Sequence, residues 1–320
     1  MQHWQGWVFD LFASAGLVEK YLISAICIIS VFCRKFVAVL IFSKGIGPCV
    51  GCSIRINPVP LTLTSILEDN RSAREVLESQ RADGAMPSYR KVSRFLTALI
   101  PLRGPGARWP QRYRKTAEPG LVRRLTAADL PQLLDLFNDF GGRYEGAPAF
   151  VAADFLEPMS GSLAGLDIDS MLGIFENSRL MAAIGIWNQQ SYKQIVVSHL
   201  CPPLLATRNI WQAGRAIWGS CPVPAVGEQV DSVLLDPWAV RPGCERRMLP
   251  ILLSAAVCEA RQRGGAFAAF GVAEKNPAIN AVNSVFFLPY WSIIYQVCWP
   301  ETSAYEFTDR HLQLANLGAL

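Results

Sequence analysis

Asp231-Ser-Val-Leu-Leu-Asp-Pro-Trp-Ala-Val240 is rich in β-branched, aromatic and aliphatic residues and runs into Arg241-Pro242-Gly243. Pro followed by Gly ends a strand in a turn, so a strand is expected to stop there. Leu249, Leu252, Leu253, Ala256, Val257 and Ala260 then recur at the spacing of one buried helical face, and Gly264-Gly265 supplies the stop. A second strand, Ala266-Phe-Ala-Ala-Phe-Gly-Val272, follows after the shortest of connections. Strand, helix and strand in that order make a βαβ unit with a buried sheet. It sets a helix N-terminus beside a strand end, where backbone N–H groups can hold an anion.

Upstream, Leu121-Val-Arg-Arg-Leu125 reads as a short strand. Thr126-Ala-Ala-Asp129 is a capping-box variant, opening a helix with Leu130, Leu133, Leu134 and Phe137 on its apolar face and Gly141-Gly142 at its end. Residues 151–156 allow a second, shorter helix. Residues 171–175 and 180–187 form a hairpin around Glu176-Asn-Ser-Arg179, and Ile195-Val-Val197 is expected to extend the sheet. Residues 201–227 read as a long loop.

One pattern occurs twice. A strand over 61–67, then Glu68-Asp-Asn70, a helix over 70–79, Pro87-Ser-Tyr89 and a strand over 91–101 answer to a strand over 267–273, Glu274-Lys-Asn276, a helix to Phe286, Pro289-Tyr290 and a strand over 292–300. Recurrence of the whole order argues for a tandem repeat. The chain then divides into an unassigned apolar segment (1–60), the C-terminal part of a first copy (61–103), a linker dense in Gly, Pro, Arg and Lys (104–119), a whole second copy (120–300) and a polar tail (301–320).

Composition bounds the function classes. Apolar residues make up 51 % of 320, enough to fill two ordinary cores. Thirty Lys and Arg against 26 Asp and Glu leave +4, without a basic and aromatic stripe, so no nucleic-acid partner is expected. The nine cysteines lack a regular spacing and suit a reducing compartment, hence a cytoplasmic protein without disulfides. Cys49-Val-Gly-Cys52 has neither a second pair nor a nearby His, so no metal is expected. The apolar runs at 21–32 and 36–42 are divided by Cys33-Arg-Lys35 into pieces each too short to cross a bilayer. They read as buried strands or a core helix, with membrane attachment through residues 21–42 as the other reading.

Taken together, the strand, capped helix, second helix, hairpin, βαβ unit, helix and last strand resemble the GNAT superfamily of acyl-CoA-dependent N-acyltransferases. The likeness covers residues 120–300 as a whole domain and 61–102 as the closing part of an earlier one. It implies an α+β fold, with a mixed, mostly antiparallel central sheet flanked by helices, present here as an incomplete tandem. It further implies transfer of an acyl group, an acetyl group by preference, from acetyl-CoA or another acyl-CoA to a small-molecule or peptide amine. In the family, N–H groups at the helix start cradle the CoA pyrophosphate, with glycines that let the backbone approach. Here the turn reads Arg241-Pro-Gly-Cys-Glu-Arg-Arg247, and the usual glycine positions fall on Arg247 and Leu249.

By the same resemblance the cofactor would meet Trp238, Ala239, Val240, Arg241, Gly243, Arg246 and Arg247, with Asn276 on the pantetheine arm. The oxyanion donor would come from the backbone at 238–240, where Pro237 breaks the strand. Asp231 and Asp236 would be the candidate bases. The family's usual Tyr, the acid for the departing thiolate, has no counterpart near Asn283. These departures keep open an alternative from another class: a catalytically inactive GNAT-like domain that binds a ligand or partner.

Overall fold

A computed structural model describes residues 63–79, 87–104, 121–145, 147–157, 163–191 and 221–298, together with 193–197, parts of 205–213, residue 219, and short strands at 38–42, 54–56, 59–61 and 312–313. In chain order the strands and helices are β1 (Ala38–Phe42), β2 (Ile54–Ile56), β3 (Val59–Leu61), β4 (Leu63–Leu67), α1 (Arg71–Glu78), β5 (Ser88–Pro101), β6 (Val122–Arg124), α2 (Leu130–Gly141), β7 (Tyr144–Glu145) and α3 (Ala152–Leu156). There follow β8 (Met171–Glu176), β9 (Arg179–Gly185), β10 (Lys193–Val197), β11 (Ser232–Leu234), β12 (Trp238–Val240), α4 (Glu245–Gln262), β13 (Phe267–Ala273), α5 (Ile279–Val282), β14 (Leu288–Cys298) and β15 (Leu312–Gln313).

The principal strands form two sheets, ordered β12-β9-β8-β6 and β11-β13-β5-β14-β4. Within them every pairing is antiparallel except β11 with β13. The sheets join where Trp187 and Leu234 exchange two backbone hydrogen bonds of 2.8 Å. This is the expected mixed, mostly antiparallel α+β architecture.

Local chemistry explains most elements. Asn177 and Ser178, both at positive φ, close the β8–β9 hairpin in a two-residue turn. The Asp129 carboxylate accepts the Thr126 N–H and hydroxyl, each at 2.9 Å, and takes Arg123 bidentately, so a 3-10 turn leads into α2. α4 lays Met248, Leu249, Leu252, Leu253, Ala256, Val257 and Ala260 into the main core. That burial carries the helix through Pro250, which cannot donate to the preceding turn.

Three local expectations are corrected. Ile195–Val197 is not a strand of either main sheet: β10 pairs with β1 on one edge, which no periodicity within either segment could reveal, and on the other bonds to Glu228 and Val230 just ahead of β11. The helix expected to reach Phe286 ends at Val282 and gives way to tight turns, with the Ser284 N–H donating to Ala281 O and the Val285 N–H to Val282 O. The strand expected from Lys91 begins at Ser88.

The repeated segments share one sheet. In the order β13-β5-β14-β4, the long strands β5 and β14 stand side by side at the centre, each flanked by the first strand of the other segment. Glu68 N–H donates to Trp291 O, and Glu274 N–H donates to Arg94 O, both at 2.9 Å. Asn70 and Asn276 each turn a side-chain oxygen onto a backbone N–H just downstream, that of Ala73 and of Ala278 respectively.

Among the described residues no helix is long and apolar enough to cross a membrane. Residues 21–37 and the Cys49–Cys52 pair lie outside them.

Candidate functional site

β11 runs beside β13 until Leu235, whose N–H donates to Ala269 O at 2.8 Å. Pro237 has no N–H to continue that ladder, and among the described residues β12 pairs on one side only, with β9. A wedge therefore opens between β12 and β13. Gly185 N–H donates to Pro237 O and Arg241 N–H to Met181 O, which sets the bonded pairs of the β12–β9 ladder. Bonded pairs alternate in an antiparallel ladder, so Ala239 faces β9 while the backbone groups of Trp238 and Val240 point into the wedge.

Side chains fill much of that opening. The Trp238 indole N–H donates across it to Gly271 O at 3.3 Å, and its ring packs on Phe270 and Phe140 at centroid distances of 5.5 and 5.2 Å. At the mouth, Arg143 donates to Val240 O at 2.8 Å and pairs with Glu245, in the first turn of α4, at 3.3 Å. Its guanidinium lies 5.3 Å from the Phe140 ring centre and 5.8 Å from that of Tyr144. Burial pushes the Tyr144 hydroxyl above its ordinary pKa, against the opposing pull of Arg143 and the neighbouring Asn276 amide. Asn276 is 1 % exposed, and its Nδ2 lacks a hydrogen-bond partner among the described residues.

The helix start differs from a glycine-lined phosphate turn. Gly243 has φ +77° and faces open space, so one backbone approach is free. The basic residues are otherwise engaged. Arg241, 7 % exposed, pairs with Asp135 and, at 3.3 Å, with Asp139, while Arg247 holds Glu176 at 2.5 and 2.9 Å. Arg246 is exposed.

The expected residues thus fall into three groups. Trp238, Ala239, Val240 and Asn276 stand around the wedge, with Asp236, 4 % exposed, at its apex. Arg241, Gly243, Arg246 and Arg247 lie at the helix start, with two of the three arginines committed to carboxylates. Asp231 stands apart, exposed, and accepts from the Gln190 amide at 2.8 Å. Sequence reasoning missed Arg143 and Tyr144, and with them the pairing of Arg143 with Glu245, whose charge at the helix start reads only as repelling phosphate. Arg143 and Tyr144 follow a Gly-Gly helix stop in what reads as an ordinary loop, and no spacing marks them.

A second concavity lies on the five-stranded sheet beside β11. It is a cavity of ≈ 280 Å³ whose polar lining includes Thr97, Gln189, Gln190, Ser232, Tyr290 and Ser292. Burial raises the pKa of the Tyr290 hydroxyl, with the Thr97 hydroxyl easing it back.

No protein-family model matches the sequence, and no curated protein matches it. Similar solved structures include a GNAT-family protein from Novosphingobium aromaticivorans assigned as an acetyltransferase, at 13% identity over 74% of each chain with a TM-score of 0.40. A GCN5-related N-acetyltransferase from Sphaerobacter thermophilus shares 12% identity over 74% of this chain and 59% of its own, with a TM-score of 0.44. N-myristoyltransferase from Saccharomyces cerevisiae, with bound myristoyl-CoA, shares 10% over 64% of this chain and 47% of its own, with a TM-score of 0.38. This chain therefore spans less than two thirds of the latter two. Overlaps this loose carry no argument; the GNAT-like fold rests on the element order and on the parting of β12 from β13.

Proposed function

We propose that the chain is an acyl-CoA-dependent N-acyltransferase that holds the acyl thioester in the wedge between β12 and β13. The observation that carries this reading is the parting at Pro237, which leaves the backbone groups of Trp238 and Val240 facing an opening instead of a strand. An amine nitrogen attacks the thioester carbonyl, the carbon–sulfur bond breaks, and the released proton goes to the departing sulfur. The backbone N–H of Trp238 or Val240, the two that face the wedge, stabilises the oxyanion. Asp236, at the apex, is better placed as the base than Asp231, which is exposed and engaged by Gln190. The Asn276 amide, whose oxygen holds the Ala278 N–H while its Nδ2 stays free to donate beside Tyr144, fits a carbonyl acceptor on the pantetheine arm.

The acyl donor is acetyl-CoA or a longer acyl-CoA, and the acceptor is a small-molecule or peptide amine. The interleaved segments fit remnants of two copies of one domain type. Titration of purified protein with CoA in a calorimeter tests the reading: saturable heat supports it, and none at millimolar ligand removes it.

A second reading is a non-catalytic GNAT-like domain that binds a ligand or partner. The Arg143 contacts with Val240 O and Glu245 favour it, because they occupy the mouth a cofactor would enter.

A further inference from the structure

The cavity beside β11 is assembled from widely separated parts of the chain: Ser65 from β4, Thr97 from β5, Ser232 from β11, Ser292 from β14 and Gln190 from the segment before β10. Its ≈ 280 Å³ exceeds the roughly 150 Å³ that suffices to hold a benzene ring, so a single-ring compound fits. Phe95, Ile195 and Leu234 supply apolar wall. Among the described residues, hydroxyls and amides are the only polar side chains that line it; no carboxylate, ammonium, guanidinium or imidazole does. Asp231, next in sequence to Ser232, accepts the Gln190 amide from outside the lining and is exposed, so solvent screens its charge. Leu234 and Ala269 also line it, beside the last bond of the β11–β13 ladder before Asp236 and the wedge, Leu235 N–H to Ala269 O.

That chemistry selects the protonation state of what enters. An aliphatic amine is an ammonium ion at neutral pH, and drying it without a counter-charge is strongly unfavourable. An aromatic amine is already neutral, offers N–H donors to hydroxyl and amide oxygens, and presents a ring to the apolar wall. Resting on the acyltransfer reading above, we infer that this cavity is the acceptor site and that its substrate class is the uncharged arylamine of about one ring. The nitrogen then arrives at the wedge with its lone pair free, and loses a proton only as the carbon–nitrogen bond forms and the thiolate departs.

Binding to the full chain at pH 7.5 without CoA tests this, with 4-methylaniline compared against benzylamine, which has the same heavy-atom count but is an ammonium ion. The expected result is saturable 4-methylaniline binding, benzylamine at least tenfold weaker, and a loss of at least threefold on narrowing the cavity by Ser65→Phe. Gln190→Trp narrows it from the opposite wall and replaces the first variant if that one fails to fold. Equal or tighter benzylamine binding, no binding of either amine, or no effect of a folded narrowing variant overturns the inference. CoA titration separates the two readings. Arylamine binding without CoA binding removes acyl transfer and keeps the ligand class; CoA binding without arylamine binding overturns the ligand class alone.

Discussion

Arg94 lies with its guanidinium carbon 4.4 Å from the centre of the Trp291 ring, and the backbone carbonyls of these two residues accept the N–H groups of Glu274 and Glu68. The same guanidinium binds Glu68 through two bonds of 2.8 and 3.1 Å and Glu274 through one of 2.5 Å. One side chain therefore ties together the acidic residues that open both repeated turns. Arg94→Met keeps the aliphatic stem but leaves both carboxylates without this cation. Because the groups are about a third exposed, the expected loss is about 1–2 kcal/mol, read as a lower urea midpoint with unchanged slope.

Asp129 carries a pH dependence of definite sign. Arg123 first, then the Thr126 N–H and hydroxyl, hold its carboxyl well below the ordinary value of 3.8. A depressed folded-state pKa stabilises the protein above the unfolded value, and that contribution fades as pH falls below 3.8 toward the depressed one. Asp129→Asn is expected to cost about 2 kcal/mol at pH 7. The gap between the urea midpoints of the two proteins should narrow steadily as pH falls from 4 to 2; a gap that stays constant over that range contradicts the assignment.

Gly185 is required by backbone crowding. A Cβ there would sit 2.6 Å from Asp236 O and 3.1 Å from its carbonyl carbon, with Met171 Sδ at 3.0 Å. The backbone of residue 236 cannot swing aside without moving the apex of the wedge. Gly185→Ala is expected to lose about 2–3 kcal/mol of stability by thermal or urea unfolding. Gly142→Ala, whose Cβ would approach nothing closer than 3.4 Å, serves as the mild comparison.

The mouth of the wedge yields a prediction of opposite direction for binding. Arg143 must release Val240 O before a pantetheine amide can use it, and Glu245 left alone at the helix start would repel phosphate. The pair Arg143→Met with Glu245→Gln removes both obstacles. CoA affinity by calorimetry is expected to rise at least threefold, while Arg143→Met alone gains less. An unchanged or weaker affinity of the double variant favours the non-catalytic reading.

Much of the second half of the chain was legible because its signals are local. The α4 spacing, the Asn177–Ser178 turn, the Thr126 to Asp129 cap and the Pro237 break each act within a few residues, and each appears where expected. The repeat of Glu68 and Asn70 in Glu274 and Asn276 was also visible, but its consequence was not. Alternation tells which face of β5 is buried and says nothing about which strands lie beside it, so the central pairing of β5 with β14 is invisible to pattern. The cavity shares that origin, since Thr97 and Ser292 meet only through this pairing. Arg143 escaped for another reason: its partners, Val240 O and Glu245, are a backbone atom and a turn residue about a hundred positions away.

The central place of Ser88–Pro101 has a cost during synthesis. This strand leaves the ribosome well before Phe267–Ala273 and Leu288–Cys298, the two strands that flank it in the finished sheet. Until they emerge, Leu96, Ala98 and Ile100 have no lasting shelter, and the nascent chain carries an open apolar ribbon ready to pair with any stray edge. The centre of the sheet therefore cannot close until residues 288–298 have been made, some two hundred positions after Ser88, a long-range pairing that slows folding of this half.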